Sequence, residues 1–578
     1  MIKFNINYGF VIFNERWKVK SLDRTLAFRK VSNLIIITFS FLLFSLFLNN
    51  VSADPGIFYV KWDATGANTG TSWDDAFTDL QDALVSAVSG DEIWVAAGVY
   101  KPTSVSTDRS ATFQLIEEVA VYGGFNGVET ILDERDPEKN VTILSGDIDN
   151  NDSQAPIITD ITTLTGNTTN SYHVVTGAND ATLDGFTITA GSANSSTDPN
   201  NCGGGMYNYA SSLALRNVTF VGNIAYVIYE GGVGGGMYNY ASNLTLFDVT
   251  FNNNSADLNG GGLFCEASNV TLNHVFFSDN IVENNGGGMC FIGYPSIATL
   301  TDVNFTNNSA ISGGGLYASS ETKLKNVVFD SNYADSGGGM YLSSESILED
   351  VTFSNNTATT GGGLYNSSSS EFSRITFNGN SATGGGGGMW SFISSPKLTD
   401  ITFINNSTDN TGGGLIYLGD PILNNITFIS NFAGVDGGGL VNSMGFNGKL
   451  TNMTFIGNIA SSNGGGMFSE GGNPTLTNIT MIDNSAGGSG GGIYTSLDGS
   501  PSLRNMVVWN NIAPVGAQMY SESESCPSIF YSVIEGGCPL GSTCYETIAD
   551  DPLLGSLGDY GGFTQTIPLL EGSSAINT

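Results

Sequence analysis

Between residues 201 and 513 short apolar stretches alternate with turns rich in Gly, Ser and Asn on a regular cycle. Three adjacent glycines followed by Met, Leu or Ile recur twelve times, the apolar residue standing at 206, 237, 263, 289, 316, 340, 364, 389, 415, 440, 467 and 493. A second motif of the form Leu-x-x-Φ-Thr-Phe-x-x-Asn, with Φ aliphatic, follows each triplet, as from Leu348 to Asn356 and from Leu423 to Asn431. Its final Asn is present in all twelve units, at 223, 254, 280, 308, 332, 356, 380, 406, 431, 458, 484 and 511. In Val351-Thr352-Phe353 the period of two puts Val and Phe on one face and Thr on the other. Each unit therefore predicts short strands with an apolar inner face, and none holds a segment periodic enough for a helix.

A period near 25 residues excludes most repeat architectures. A leucine-rich repeat needs its own Leu and Asn spacing, whereas here the Asn follows a Val-Thr-Phe strand and glycine triplets replace the helical segment. A propeller blade needs a longer period and four strands. What remains is a parallel β-solenoid with one coil per unit. The recurring Asn falls where the strand ends, and its amide can donate and accept along the stack, which predicts an Asn ladder. The triplets allow positive φ and close backbone approach. At ~4.8 Å per coil the twelve units make a rod of roughly 50 Å. Leu183-Asp-Gly-Phe186-Thr-Ile188 predicts an earlier, degenerate coil. Asp74 to Val88, with Phe77, Leu80, Leu84 and Val88 at helical spacing, predicts an amphipathic helix capping the exposed strand edges at the N-terminal end. Glu92 to Tyr100 reads as a buried first strand.

The Gly-Gly-Gly-[Met/Leu/Ile] and Phe-x-x-Asn pairing resembles the polymorphic outer membrane protein repeats, a family of right-handed parallel β-helices of the pectin-lyase-like fold. The segments Asp551-Pro-Leu-Leu-Gly555, Gly561 to Thr566 and Gly572 to Ile576 are similar to the choice-of-anchor Q domain of bacterial surface proteins. So are Thr71 to Phe77, Leu144 to Asp149, Tyr172 to Val175 and Leu183 to Ile188. The resemblance implies an all-β, right-handed parallel β-helix with about twelve regular coils, an N-terminal helix cap and irregular C-terminal coils. The implied organisation is a signal peptide over 1–53, a cap and degenerate coils over 54–200, regular repeats over 201–513, and anchor-Q-like coils over 514–578. That family's autotransporters end in a membrane barrel, but no train of amphipathic strands follows Asn511. The anchor-Q likeness stops at Thr578, before the segment and sorting signal that normally follow. The expectation is a fragment or a freely secreted form.

The signal-peptide expectation rests on Leu34 to Leu48, fifteen residues without a charge, flanked by Arg29-Lys30 and by Val51-Ser52-Ala53. That is short of the ~20 residues that span a bilayer, so export is predicted, to the cell surface, the outer membrane or the extracellular space. Composition narrows the partners. The chain has 578 residues, 76 of them Gly, with 19 basic and 54 acidic side chains and a net charge of -35. Such a chain repels a phosphate backbone, which excludes nucleic acid, and membrane involvement is expected only through export or anchoring. At 40% hydrophobic and 11% aromatic it can build a core, against disorder. Six cysteines are compatible with one or two disulfides outside the cytoplasm. Cys526, Cys538 and Cys544 cluster closely enough to predict one local bridge, with the pairing left open.

The chemistry for catalysis is thin. A polyuronate lyase needs a base and cations to neutralise the uronate, but Arg216, Lys323, Lys325, Arg374, Lys397, Lys449 and Arg504 are scattered, most of them in the linker of the strand motif. His173 and His274 are the only histidines, and His173 reads as a packed or capping residue. Glu349-Asp350 reads as a solvated turn. Gly146-Asp147-Ile-Asp149-Asn-Asn151-Asp152 has calcium-loop spacing, but Asp152 stands at the sixth position and Ile158 at the twelfth, so it reads as an ordinary polar turn. No metal, cofactor or catalytic residue is assigned. Asn-x-Ser/Thr at Asn217, Asn243, Asn269, Asn425, Asn452 and Asn478 follows from the repeat itself, and single outward Thr residues are ordinary sheet surface. The candidate ligand-binding residues follow the triplets: Tyr207, Tyr238, Phe264, Tyr317, Tyr341, Tyr365, Trp390, Phe468 and Tyr494. If Met or Leu points in, alternation puts these outward in a stripe. The expected function is non-catalytic adhesion or extracellular binding of surface glycans or proteins. The alternative is a polysaccharide-active enzyme or glycan-binding protein. Asp converging with Arg or Lys in one groove would favour the enzyme; an uninterrupted aromatic stripe would favour binding.

Overall fold

The computed structural model describes residues 55–227 and 231–576; the signal peptide expected over 1–53 lies outside the described residues. From Ile57 to Ile548 the chain winds as a right-handed parallel β-helix of about 17 turns. The twelve regular turns continue into irregular ones at both ends. Ten of the twelve regular turns contribute three strands, and in the other two the third is reduced to an isolated bridge at Ser309 or Ile512. A short strand follows the glycine triplet, as in Met340–Leu342; a long one carries the Leu-x-x-Φ-Thr-Phe motif, as in Ile347–Ser354; a third follows the Asn, as in Thr357–Thr360. Neighbouring turns pair in register, with Val327, Val351 and Ile375 aligned, as are Phe329, Phe353 and Phe377.

The interior is a set of ladders. Phe220, Phe251, Phe277, Phe305, Phe329, Phe353, Phe377, Phe403, Phe428 and Phe455 are buried and stacked with nearly parallel planes. The predicted Asn ladder is buried along its whole length. Asn356 Nδ2 donates to Asn380 Oδ1 at 2.9 Å and to the Phe329 carbonyl at 2.8 Å. Its Oδ1 accepts from the backbone N–H and Nδ2 of Asn332, both at 3.0 Å. All four capacities of the amide are used. At the C-terminal end Asn511 Nδ2 donates to Gln518 Oε1 at 2.8 Å, so a glutamine closes the ladder.

The glycine triplet has two functions. The first glycine takes a left-handed φ, +65° at Gly337. The second and third have no room: a Cβ on Gly338 would sit 2.4 Å from the Gly362 carbonyl oxygen, and one on Gly339 would lie 2.7 Å from the Gly363 oxygen and 2.8 Å from Phe353 Cδ1. The turn before each buried Asn also needs positive φ, which explains Gly379, Asn355, Asn405 and Asp483 at that place.

The capping helix is shorter than expected, Leu80–Ser86, with Asp79 as N-cap and Leu80, Ala83 and Leu84 buried. Ala87 is already extended, so Val88 is exposed rather than on an apolar helix face; Phe77 instead bridges to Val60. A disulfide joins Cys538 and Cys544; Cys202, Cys265 and Cys290 are buried thiols and Cys526 is exposed. After Ile548 the chain leaves the coil. Residues 551–576 fold back with antiparallel bridges Leu554 to Leu569 and Gly558 to Thr566, and lie on the outer face of the long-strand sheet. There Thr427 Oγ1 donates to the Gln565 carbonyl at 2.9 Å and Thr564 Oγ1 to Asn425 Oδ1 at 2.8 Å, burying Thr427. Among the described residues no helix is long and apolar enough to cross a membrane.

Candidate functional site

Each long strand carries a residue of positive φ just before its aliphatic residue: Asn217, Asp248, His274, Asp302, Asn326, Asp350, Arg374, Asp400, Asn425, Asn452, Asn478 and Asn505. This bend lies on the outer face, and stacking brings its side chains together from turn to turn. Asn478 Nδ2 donates to Asn452 Oδ1 and Asn505 Nδ2 to Asn478 Oδ1, both at 2.9 Å, and Arg374 Nε donates to Asp350 Oδ1 at 2.7 Å. Two of the linker bases therefore meet on one carboxylate while the rest stay dispersed: Arg374 also meets Glu349, and Lys325 Nζ stands 3.8 Å from Glu349 Oε2. Glu349-Asp350 is correspondingly a strand bend bound by bases rather than a solvated turn. The reason is that equal positions in adjacent turns lie one strand spacing apart, however far apart they are in sequence.

At the N-terminal end this outer face becomes a groove of about 1310 Å³. Its floor includes Asp184, Thr187, Asn217, Thr219, Asp248 and His274, and its wall is the excursion Leu132 to Glu138. Arg135 anchors that wall. Its Nη2 lies 2.7 Å from Asp184 Oδ2, its Nη1 donates to the Gly123 carbonyl at 3.1 Å, and its guanidinium covers the Tyr122 ring. Asn217 Nδ2 donates to Asp184 Oδ1 at 2.8 Å, so both oxygens of this buried carboxylate are engaged. His274 Nδ1 is in close contact with Asp248 Oδ1, and its ring meets Phe276 edge-on. Arg216 lies over Phe247. With Asp133, Glu134, Asp136 and Glu138 in the wall, acids outnumber bases. The carboxyls whose pKa burial pushes up, Asp152, Asp257 and Asp436, lie elsewhere.

The predicted aromatic residues stack in three runs along the sheet of short strands that follow the triplets. Tyr207, Tyr238 and Phe264 form the first, with centroids 5.3 and 5.6 Å apart; Tyr317, Tyr341 and Tyr365, at 5.0 and 4.9 Å, begin the second, which Trp390 continues in register. Phe468 and Tyr494, 5.1 Å apart, form the third and extend to Tyr520. Cys290 interrupts the stripe once, and Ile416 and Val441 interrupt it again, all three buried. Phe264 and Tyr494 are buried and the other seven are half-buried. Sequence reasoning missed the most open part. Tyr209 and Tyr240 lie two residues beyond Tyr207 and Tyr238 on the same face, and the four rings make a plate with planes within 8° of one another and Tyr209 55% exposed. The doubled Met-Tyr-Asn-Tyr at 206–209 and 237–240 was the available signal. Burial, helped by Asp198 and Cys202, pushes the Tyr207 phenol up to about 12. His173 packs against Tyr207; burial lowers its pKa, and its Nδ1 lies 3.0 Å from the Gly203 carbonyl, in keeping with a packed residue.

Four segments, 248–266, 302–319, 350–367 and 478–496, match the Chlamydia polymorphic membrane protein repeat. Each runs from the outer bend through the buried Asn and the glycine triplet into the next strand, so the solenoid carries repeats of the polymorphic membrane protein type. No curated protein matches the chain. Solved structures similar to it include a mannuronic acid-specific polysaccharide family 6 lyase from human gut microbiota. It is 9% identical, with 80% of this chain and 86% of that one covered and a TM-score of 0.25. Pectate lyase Pel9A is 11% identical, covering 82% and 78%, with a TM-score of 0.17. The family 28 exopolygalacturonase of Yersinia enterocolitica is 11% identical, covering 87% and 77%, with a TM-score of 0.18.

Proposed function

We propose that this protein is a non-catalytic binding module of the cell surface or extracellular space, and that it holds neutral glycan chains on the tyrosine plate. The observation that carries the reading is the plate itself. Four parallel rings, Tyr209 the most open, offer apolar faces to the C–H face of a sugar ring and phenol hydroxyls to its rim. A net charge of -35 disfavours polyanionic ligands. The polymorphic membrane protein-type repeats support a surface setting.

A second reading, a polysaccharide-active enzyme, is favoured by the groove, where Asp184, Asp248, Arg135, Arg216 and His274 meet. Against it, Asp184 is held by Arg135 and Asn217, Asp248 by His274, and the excess of acids opposes a polyuronate. One experiment separates the two. The full chain is run in affinity gels containing neutral or acidic polysaccharides, while release of reducing ends and unsaturated uronates is followed. Retardation by a neutral polysaccharide, weakened at least about tenfold in Tyr209→Ala/Tyr240→Ala with unchanged melting and no product, is the expected result. Product release lost in His274→Gln would establish the enzyme instead.

A further inference from the structure

The long excursion between the strands Thr142–Ser145 and Val175–Thr176 folds on itself and holds a group of buried oxygens without hydrogen-bond partners. Two segments are tied together there. Asn170 Nδ2 donates to Asp152 Oδ2 at 2.8 Å, and Asn151 Nδ2 bridges Asp149 Oδ2 at 2.8 Å and Thr169 Oγ1 at 2.9 Å. The Ser171 N–H donates to the Gly146 carbonyl at 2.9 Å. Across this junction Asp149 Oδ1, Asp152 Oδ1, Asn170 Oδ1 and Ser171 Oγ are all buried with no partner among the described residues, and Asn170 and Ser171 are 0% exposed. An unpartnered buried oxygen is costly, and four on two segments that these hydrogen bonds hold together call for an occupant. The nearest bases do not supply one: Arg109 Nε donates to the Asn170 carbonyl at 2.7 Å, and Lys101 binds the Asp147 carbonyl and Asn150 Oδ1.

We propose that this junction binds one calcium ion, through Asp149, Asp152, Asn170 and Ser171, and that the ion pins the excursion to the solenoid. The donor set is oxygen throughout, which suits a hard divalent cation. Two carboxylates match its charge, while amide and hydroxyl oxygens suit calcium's tolerance of irregular geometry more than magnesium's demand for an octahedron. No trio of His, Cys, Asp or Glu side chains gathers as a metal-ligand set among the described residues, so the neutral oxygens are essential to the site. The site departs from the polar-turn reading of the sequence because half of its donors lie some twenty residues beyond the loop, and it is independent of the tyrosine plate.

The test is calorimetric titration of the chelator-treated full chain with CaCl2, paired with thermal melts. One saturable site and a higher Tm with Ca²⁺ than with equal Mg²⁺ are expected. In Asp152→Asn the saturable site should vanish. Should that variant fail to fold, Ser171→Ala, which removes one neutral donor, should fold and bind about tenfold more weakly. Asp400→Asn, a surface acid, should bind as the parent does. Absence of a saturable site in the parent at millimolar Ca²⁺ would overturn the proposal and leave buried water as the occupant. Binding unchanged in Asp152→Asn or Ser171→Ala would also overturn it and assign the heat to the acidic surface.

Discussion

The regular turns and the irregular N-terminal ones use the same sheets for opposite ends. From Met206 to Asn511 a side chain on one turn meets its own kind on the next: Phe on Phe, Asn on Asn, Gly on Gly. That suits cohesion, because a stack of amides or rings is satisfied by repetition alone. From Ile57 to Asn200 the repeat survives only in the degenerate coil of Leu183–Ile188, which pairs in register with the first regular turn. The buried Arg135–Asp184 pair, the groove wall and the unpartnered oxygens of Asp149, Asp152, Asn170 and Ser171 each occur once. A site needs unlike groups to meet, and in a solenoid that requires breaking the repeat. The tyrosine plate lies at the border, where two turns still repeat Met-Tyr-Asn-Tyr but the next has Leu263-Phe-Cys-Glu266.

The sharpest break of the regular region is Phe353→Ala, expected to cost about 4 kcal/mol because the neighbouring rings cannot close over the gap. Urea denaturation would read it. Arg135→Ala should cost about 3 kcal/mol by leaving Asp184 buried and unpaired. The double change Arg135→Met/Asp184→Leu should recover most of that loss while removing the charge pattern of the groove, which would show that the pair serves the site more than the fold. Asn356→Ala should cost about 2–3 kcal/mol, since it strands the donors of Asn332 and the Phe329 carbonyl; a neutral result would mean the ladder is not load-sharing. In the irregular region Glu129 accepts from the N–H groups of Asn126, Gly127 and Val128, which outweigh burial and lower its pKa. Its stabilising effect is present above the ordinary carboxylate range and is lost as pH falls through the lowered pKa. Glu129→Gln should therefore melt earlier than the parent at pH 7 and converge with it at acid pH. Smallest of all, Arg374→Ala should leave the denaturation midpoint nearly unchanged, since Arg374, Asp350 and Glu349 are paired on the outer face but each keeps about a third of its side chain in water.

Much of the regular region was legible because each position is read twelve times. The alternation in Val351-Thr352-Phe353 predicts which side chains point in, and the recurring Asn predicts a ladder whose register the strands then show. The outer bend was less legible. Asn, Asp, His and Arg share one backbone role at 217, 248, 274 and 374, but their chemistry looks unrelated until the shared positive φ is seen. The irregular turns were hardest. Arg135 and Asp184 lie 49 residues apart with no motif joining them. Asp152 and Asn170 are separated by a loop with no periodicity to fix its path.

By itself the sequence determined the solenoid: period, inward faces, glycine turns and ladders are local, and repetition multiplies each weak preference into a strong one. Only the tertiary structure decided where unlike side chains meet. Winding places residues from successive turns one strand spacing apart, and the excursions that leave the coil, at 132–138, 146–171 and 551–576, are positioned by what they dock against rather than by their own pattern.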